Sequence, residues 1–116
     1  KLLKENKNVR KFYLSSDLFI LSSLYEGFPN VLIESIIYNL PIISSNCKSG
    51  PREILSNSIV NNKFNIRNHR DLSNKILYFS RNKKKFYKNN LILKKNLDKY
   101  NFKKTLESYN KLFVNL

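Results

Sequence analysis

The stretch Asp17-Leu18-Phe19-Ile20-Leu21-Ser22-Ser23-Leu24-Tyr25-Glu26-Gly27-Phe28-Pro29-Asn30-Val31-Leu32-Ile33-Glu34-Ser35 decides how this chain folds. Leu18 to Leu21 is an unbroken apolar run, the pattern of a strand buried on both faces in a parallel sheet. Gly27 permits a sharp turn, and Pro29 suits the first turn of a helix. Residues 30–38 are long enough for about two and a half helical turns. They are apolar at 31, 32, 33, 36, 37 and 38, which predicts a largely buried helix. Asn39 can take the left-handed cap usually given to glycine, and Pro41 blocks continuation. Ile42-Ile43 then reads as a second buried strand, so the whole is one βαβ unit.

Working outward, Asn8 to Ser15 predicts a short helix with Val9, Phe12 and Tyr13 on one face. Downstream, Ser49-Gly50-Pro51 turns into a short helix at Arg52-Glu53-Ile54-Leu55, and Phe64-Asn65-Ile66 forms a short last strand. The pattern turns helical after Asp71. Leu72, Ile76, Leu77 and Phe79 suit one helix, and Phe86, Leu91, Leu93 and Leu97 a second. Phe102, Leu106, Tyr109, Leu112 and Phe113 suit a third. The 2 glycines and 3 prolines all fall between residues 27 and 51, so the special backbone chemistry sits in one quarter of the chain. The expected class is α/β, with a short parallel sheet followed by helices.

The chain has 116 residues and is 41% hydrophobic, which suits a small globular domain rather than a disordered segment. No apolar run approaches the roughly 18 residues of a membrane-spanning helix, and there is no secretory signal. A lone Cys47 excludes an internal disulfide, and with only His69 beside it a Cys/His zinc site is not expected. Cys47 reads as a small semi-buried residue and His69 as part of an exposed polar loop. The net charge of +14 invites a nucleic-acid reading. However, 17 Lys, 18 Asn and 11 Ile are residues with A- and T-rich codons, and the charge is lopsided. Residues 1–58 are net +2, residues 59–116 net +12, and residues 12–55 net −2. Lys83-Lys84-Lys85 with Lys88, Lys94 and Lys95 reads as a solvated helix face, with an anionic membrane surface as the other reading. Tyr78, Phe79, Phe86 and Tyr87 have the spacing of core residues.

The chemistry concentrates between Glu26 and Glu34. A buried parallel strand delivers the chain to the carboxyl edge of the sheet, where ligands of open α/β folds bind. The following helix N-terminus has free N–H groups and favours phosphate. Glu26 and Glu34 flank that anion site. A carboxylate there does not bind phosphate, but it accepts hydrogen bonds from sugar hydroxyls. The constellation points to a nucleotide-sugar pocket.

Residues 17–35, together with Pro41-Ile42-Ile43 and Ser49-Gly50-Pro51-Arg52-Glu53-Ile54-Leu55, closely resemble the Glu-x7-Glu signature of family 4 retaining glycosyltransferases of the GT-B fold. The resemblance implies two Rossmann-like domains, of which the C-terminal one binds a nucleotide-diphosphate sugar. It also implies transfer with retention of configuration, no cofactor and no required metal. Carried onto this chain, Glu26 is the catalytic residue beside the donor sugar and its phosphate. Gly27, Phe28, Pro29, Asn30 and Val31 cradle the donor, and Glu34 holds the ribose hydroxyls. The acceptor is a glycan or a lipid-linked glycan, with hexose or N-acetylhexosamine as the sugar. The expected location is cytoplasmic, with peripheral contact with an anionic membrane, and no nucleic-acid partner. The alternative is a basic nucleic-acid- or anionic-surface-binding module without catalysis. Two departures stand out: Asn39 replaces a usual glycine, and the usual Gly-rich segment after Leu55 is absent. Residues 1–116 are thus expected to be one partial C-terminal domain, an α/β part at 1–66 and basic helices at 67–116. The absence of Met at position 1 fits a chain that begins partway through such an enzyme.

Overall fold

A computed structural model describes residues 8–25, 27, 30–47, 51–55, 60–98, 104, 107 and 111. The elements run α1 (Arg10–Ser15), β1 (Phe19–Leu21), α2 (Asn30–Ile37), β2 (Ile42–Ser45), α3 (Pro51–Ile54), a 3-10 turn (Val60–Asn62), β3 (Lys63–Phe64), α4 (His69–Arg81) and α5 (Lys83–Asp98). The three strands form one sheet in the order β1-β2-β3, and both pairings are parallel. Phe19 lies opposite Ile42 and Leu21 opposite Ser44, while Ser44 lies opposite Lys63. The α/β class with a short parallel sheet is therefore the observed one.

Strand β2 organises the core because successive side chains leave opposite faces of a strand. Ile42 joins Leu32, Ile33 and Ile36 of α2, Ile54 and Leu55, and Leu93 and Leu97 of α5. Its neighbour Ile43 joins Phe64, Phe79 and Phe86 instead. Helix α5 serves both clusters, Phe86 at its start in one and Leu93 and Leu97 in the other. Phe79 meets Phe86 edge-on at 5.1 Å, a favoured aromatic geometry.

The ends of the elements have local causes. Asn39 stands at φ 56°, the left-handed cap expected of it, and Leu40 N–H donates to the Ser35 carbonyl at 2.8 Å. The Asn68 side chain caps α4 by accepting from Asp71 N–H at 3.0 Å. Asp71 in turn accepts from Asn65 N–H at 2.7 Å. The helix thus begins at His69, which is exposed on its first turn rather than in a loop. Buried Asn62 donates to the Ile42 carbonyl at 2.6 Å and accepts from Asn89 at 3.0 Å, which ties the 3-10 turn to β2 and α5.

Several expectations are corrected. Strand β1 is not buried on both faces: Phe19 and Leu21 pack on the core, but Ile20 is 38% exposed. Among the described residues β1 pairs only with β2. In α4 the inward residues are Leu72, Tyr78 and Phe79, while Ile76 and Leu77 are exposed. In α5 the inward stripe is Phe86, Asn90, Leu93 and Leu97, while Leu91 and Tyr87, both expected inside, are 58% and 41% exposed. Helical periods of three and four select Asn90 for the interior despite its polarity. In α2, Val31 is exposed while Leu32, Ile33 and Ile36 are buried. The third C-terminal helix expected from Phe102, Leu106, Tyr109, Leu112 and Phe113 falls on residues outside those described. Of that segment only Lys104, Glu107 and Lys111 are described, each helical and exposed. Ser49 and Gly50 also lie outside them, as do the side chains of Arg52 and Glu53.

Candidate functional site

The carboxyl ends of β1 and β2 share one edge because the strands are parallel. From that edge residues 22–25 lead toward α2, whose first residue is Asn30. The start of this loop is pinned from β2. The Ser45 hydroxyl donates to the Ser23 carbonyl at 2.5 Å, and the Cys47 thiol donates to the same oxygen at 3.3 Å. The hydroxyl and thiol lie 3.1 Å apart. Both side chains are buried, so this polar pair is satisfied by one backbone acceptor in the interior. Cys47 is therefore fully buried, not semi-buried, and holds a loop in place.

Beyond Ser23 the loop is open. Tyr25 is 79% exposed, and a Cβ added at Gly27 would meet nothing within 4 Å. Gly27 is outside the left-handed region. Among the described residues, neither backbone nor crowding requires glycine there, so the space beside it is free for a ligand's close approach. Glu26, Phe28 and Pro29 lie outside the described residues. Asn30 and Val31 are exposed at the N-terminus of α2. Its free N–H groups make that end suited to an anion.

Glu34 sits half-buried in the second turn of α2. The Tyr13 phenol of α1 lies near enough for this carboxylate to act on it. Burial first, then the hydrogen-bonding pull and charge of Glu34, push the Tyr13 phenol well above its usual range; Ser35 opposes the shift. Tyr13 is held by stacking on Tyr38, with centroids 5.4 Å apart and planes at 19°, and by tilted contact with Phe19 at 6.1 Å. Sequence reasoning placed Tyr13 on an apolar face and missed it as the partner of Glu34. Its spacing against Val9 and Phe12 gave α1 an inward face, but nothing local ties residue 13 to residue 34. The Ser45–Cys47 clamp on Ser23 was likewise missed, since small residues at a strand end carry no periodic signal. Among the described residues no group of three His, Cys, Asp or Glu comes together that could hold a metal ion.

A family model described as glycosyl transferases group 1 matches residues 2–104. An uncharacterized glycosyltransferase of Methanocaldococcus jannaschii is 56% identical over 54 residues, covering 47% of this chain and 13% of that protein. An amylovoran biosynthesis glycosyltransferase of Erwinia amylovora is 43% identical over 54 residues, covering 47% of this chain and 15% of that protein. A lipopolysaccharide 1,6-galactosyltransferase of Salmonella typhimurium is 50% identical over 36 residues, covering 31% of this chain and 10% of that protein. The chain thus spans less than a sixth of the length of these relatives. No solved structure matches it.

Proposed function

The chain belongs to the glycosyl transferases group 1 family, and we propose that it is the donor-binding segment of a retaining family 4 glycosyltransferase of the GT-B fold. In this reading residues 1–116 are part of the C-terminal domain, the α/β part at 1–66 and helices at 67–116. A nucleotide-diphosphate sugar binds at the carboxyl edge of the sheet. Its diphosphate meets the N-terminus of α2 across Gly27 to Val31, and its ribose hydroxyls donate to Glu34. Glu26 acts beside the sugar, where a carboxylate can stabilise charge developing on the transferred ring. No metal or cofactor takes part.

The observation that supports this most is the parallel β1–loop–α2 unit. It brings open space at Gly27 and the free end of α2 to the same sheet edge, with Glu34 one turn further along. The relatives named for amylovoran and lipopolysaccharide synthesis favour a surface glycan or its lipid-linked precursor as the acceptor, on the cytoplasmic side of the membrane. In the full-length protein, Glu26→Ala should abolish sugar transfer while leaving the circular dichroism spectrum unchanged. Undiminished transfer by that variant would remove Glu26 from the reaction.

A further inference from the structure

Helix α5 turns its buried stripe, Phe86, Asn90, Leu93 and Leu97, toward the core. At 100° per residue, the line directly opposite passes through Lys84, Lys88, Leu91 and Lys95. All four are exposed, Leu91 at 58%, and Tyr87 and Ile92 beside them are 41% and 47% exposed. Residues 72–97 hold eight Lys and Arg and no Asp or Glu, so no acidic side chain of α4 or α5 offsets this face between those positions. Three apolar side chains alongside lysines, with no Asp or Glu between residues 72 and 97, is not the composition of a merely solvated surface. Among the described residues, no helix is long and apolar enough to cross a membrane.

We propose that the outer face of α5, centred on Leu91 and ringed by Lys84, Lys88 and Lys95, docks on an anionic lipid surface. The lysines meet lipid phosphates, while Leu91 and Ile92 enter the headgroup boundary with Tyr87 at its edge. The chemistry favours lipid over nucleic acid. The face is convex, being the outside of one helix, and carries a single exposed aromatic and no arginine. Single-stranded nucleic acids are held instead in grooves with stacked aromatics. Aliphatic Leu91 and Ile92 have no role against phosphates and bases but a direct one against acyl chains.

The test is co-sedimentation of the full-length protein with vesicles of phosphatidylglycerol mixed into phosphatidylcholine, and with phosphatidylcholine alone. Binding is expected only to the anionic vesicles, weakening with salt. Each lysine near such a surface contributes about fivefold in partitioning, so the triple change Lys84→Gln, Lys88→Gln and Lys95→Gln should weaken binding roughly a hundredfold. Leu91→Ser should weaken it several-fold with an unaltered salt dependence. These positions are exposed, and unchanged circular dichroism verifies folding. Equal binding by the parent protein and the triple variant, no binding at low salt, or indifference to Leu91→Ser would each overturn the proposal. So would retention of RNA in place of vesicles. The readout is lipid binding rather than sugar transfer, so it stands or falls apart from the assignment of Glu26 and Glu34.

Discussion

The phenol of Tyr13 on α1 neighbours the carboxylate of Glu34 on α2, joining the residue proposed to hold the ribose to a helix on the far side of β1 in the sequence. The contact matters because a flexible carboxylate loses rotamer freedom when it binds a ligand, and a fixed one has already lost it. Stacking on Tyr38 at 5.4 Å fixes Tyr13 itself, so the orientation of Glu34 rests on aromatic packing.

Tyr13→Phe keeps the ring stack and removes the hydroxyl beside Glu34. An interaction with a charged group contributes about 1.5–3 kcal/mol when buried, and with Tyr13 only half-buried the loss should be about 1 kcal/mol. Urea denaturation measures it. Donor affinity should also fall several-fold. Unchanged stability and affinity together would show that the contact orients nothing.

Burial of the Tyr13 phenol, more than its contact with Glu34, sets an alkaline limit. The folded phenol is held above its ordinary value, so the folded state keeps a proton that the unfolded chain releases. The stabilisation is complete below the ordinary phenol pKa of about 10 and is lost as pH rises beyond it. Stability measured from pH 8 to 11 should fall above about pH 10, and the fall should be shallower in Tyr13→Phe. Identical alkaline slopes would contradict this.

Ser45→Ala removes the donor at 2.5 Å from the Ser23 carbonyl and leaves the Cys47 thiol as its side-chain donor. The cost should be about 1 kcal/mol in stability. Because Ser23 begins the loop from β1 toward α2, amide exchange along residues 22–25 should quicken. Cys47 is fully buried, so iodoacetamide should modify it in the parent protein only on unfolding. Rapid modification of the folded protein would contradict the clamp.

Asn90 is 1% exposed, and among the described residues neither its Oδ1 nor its Nδ2 has a hydrogen-bond partner. A buried amide without partners costs on the order of 1–3 kcal/mol. Leucine has the same branched shape, so Asn90→Leu should raise stability by about 1 kcal/mol, the gain being trimmed by its larger methyl groups. A lower denaturation midpoint would mean that the amide is satisfied by buried water.

Asn90 also shows where the sequence is hard to read. Periodicity identified α5, but the search for apolar residues chose Leu91 over Asn90, one position off the true stripe. The helix itself sets that stripe through Phe86, Leu93 and Leu97. In α4 the same preference chose Ile76 and Leu77, which are exposed, whereas Tyr78 packs inward as its spacing suggested. By contrast, the βαβ unit was legible because its signals do not depend on face. Leu18 to Leu21 and Ile42-Ile43 are apolar runs, Pro41 ends a helix, and Asn39 takes its left-handed cap. The outward exposure of Ile20 was not legible in the apolar run, because it depends on what packs against β1 and not on the strand's own residues. At the site, the positions of Glu34, Asn30 and Val31 followed from the helix, whereas Tyr13, Ser45 and Cys47 entered through contacts 21 to 24 residues away in the chain.

The most direct test of the account is whether Glu34 reads the ribose. The affinity of the full-length protein for a ribonucleoside diphosphate and for its 2′-deoxy counterpart should be compared by calorimetry, across the common bases. The same pair should then be measured with Glu34→Ala. A carboxylate that accepts from the ribose hydroxyls gives the parent protein a preference for the ribo form. Glu34→Ala should erase that preference and weaken binding of the ribo form by about 1–3 kcal/mol, the cost of leaving polar partners unpaired. An equal ribo preference in the variant, with undiminished affinity, would contradict the placement of the donor on this edge of the sheet.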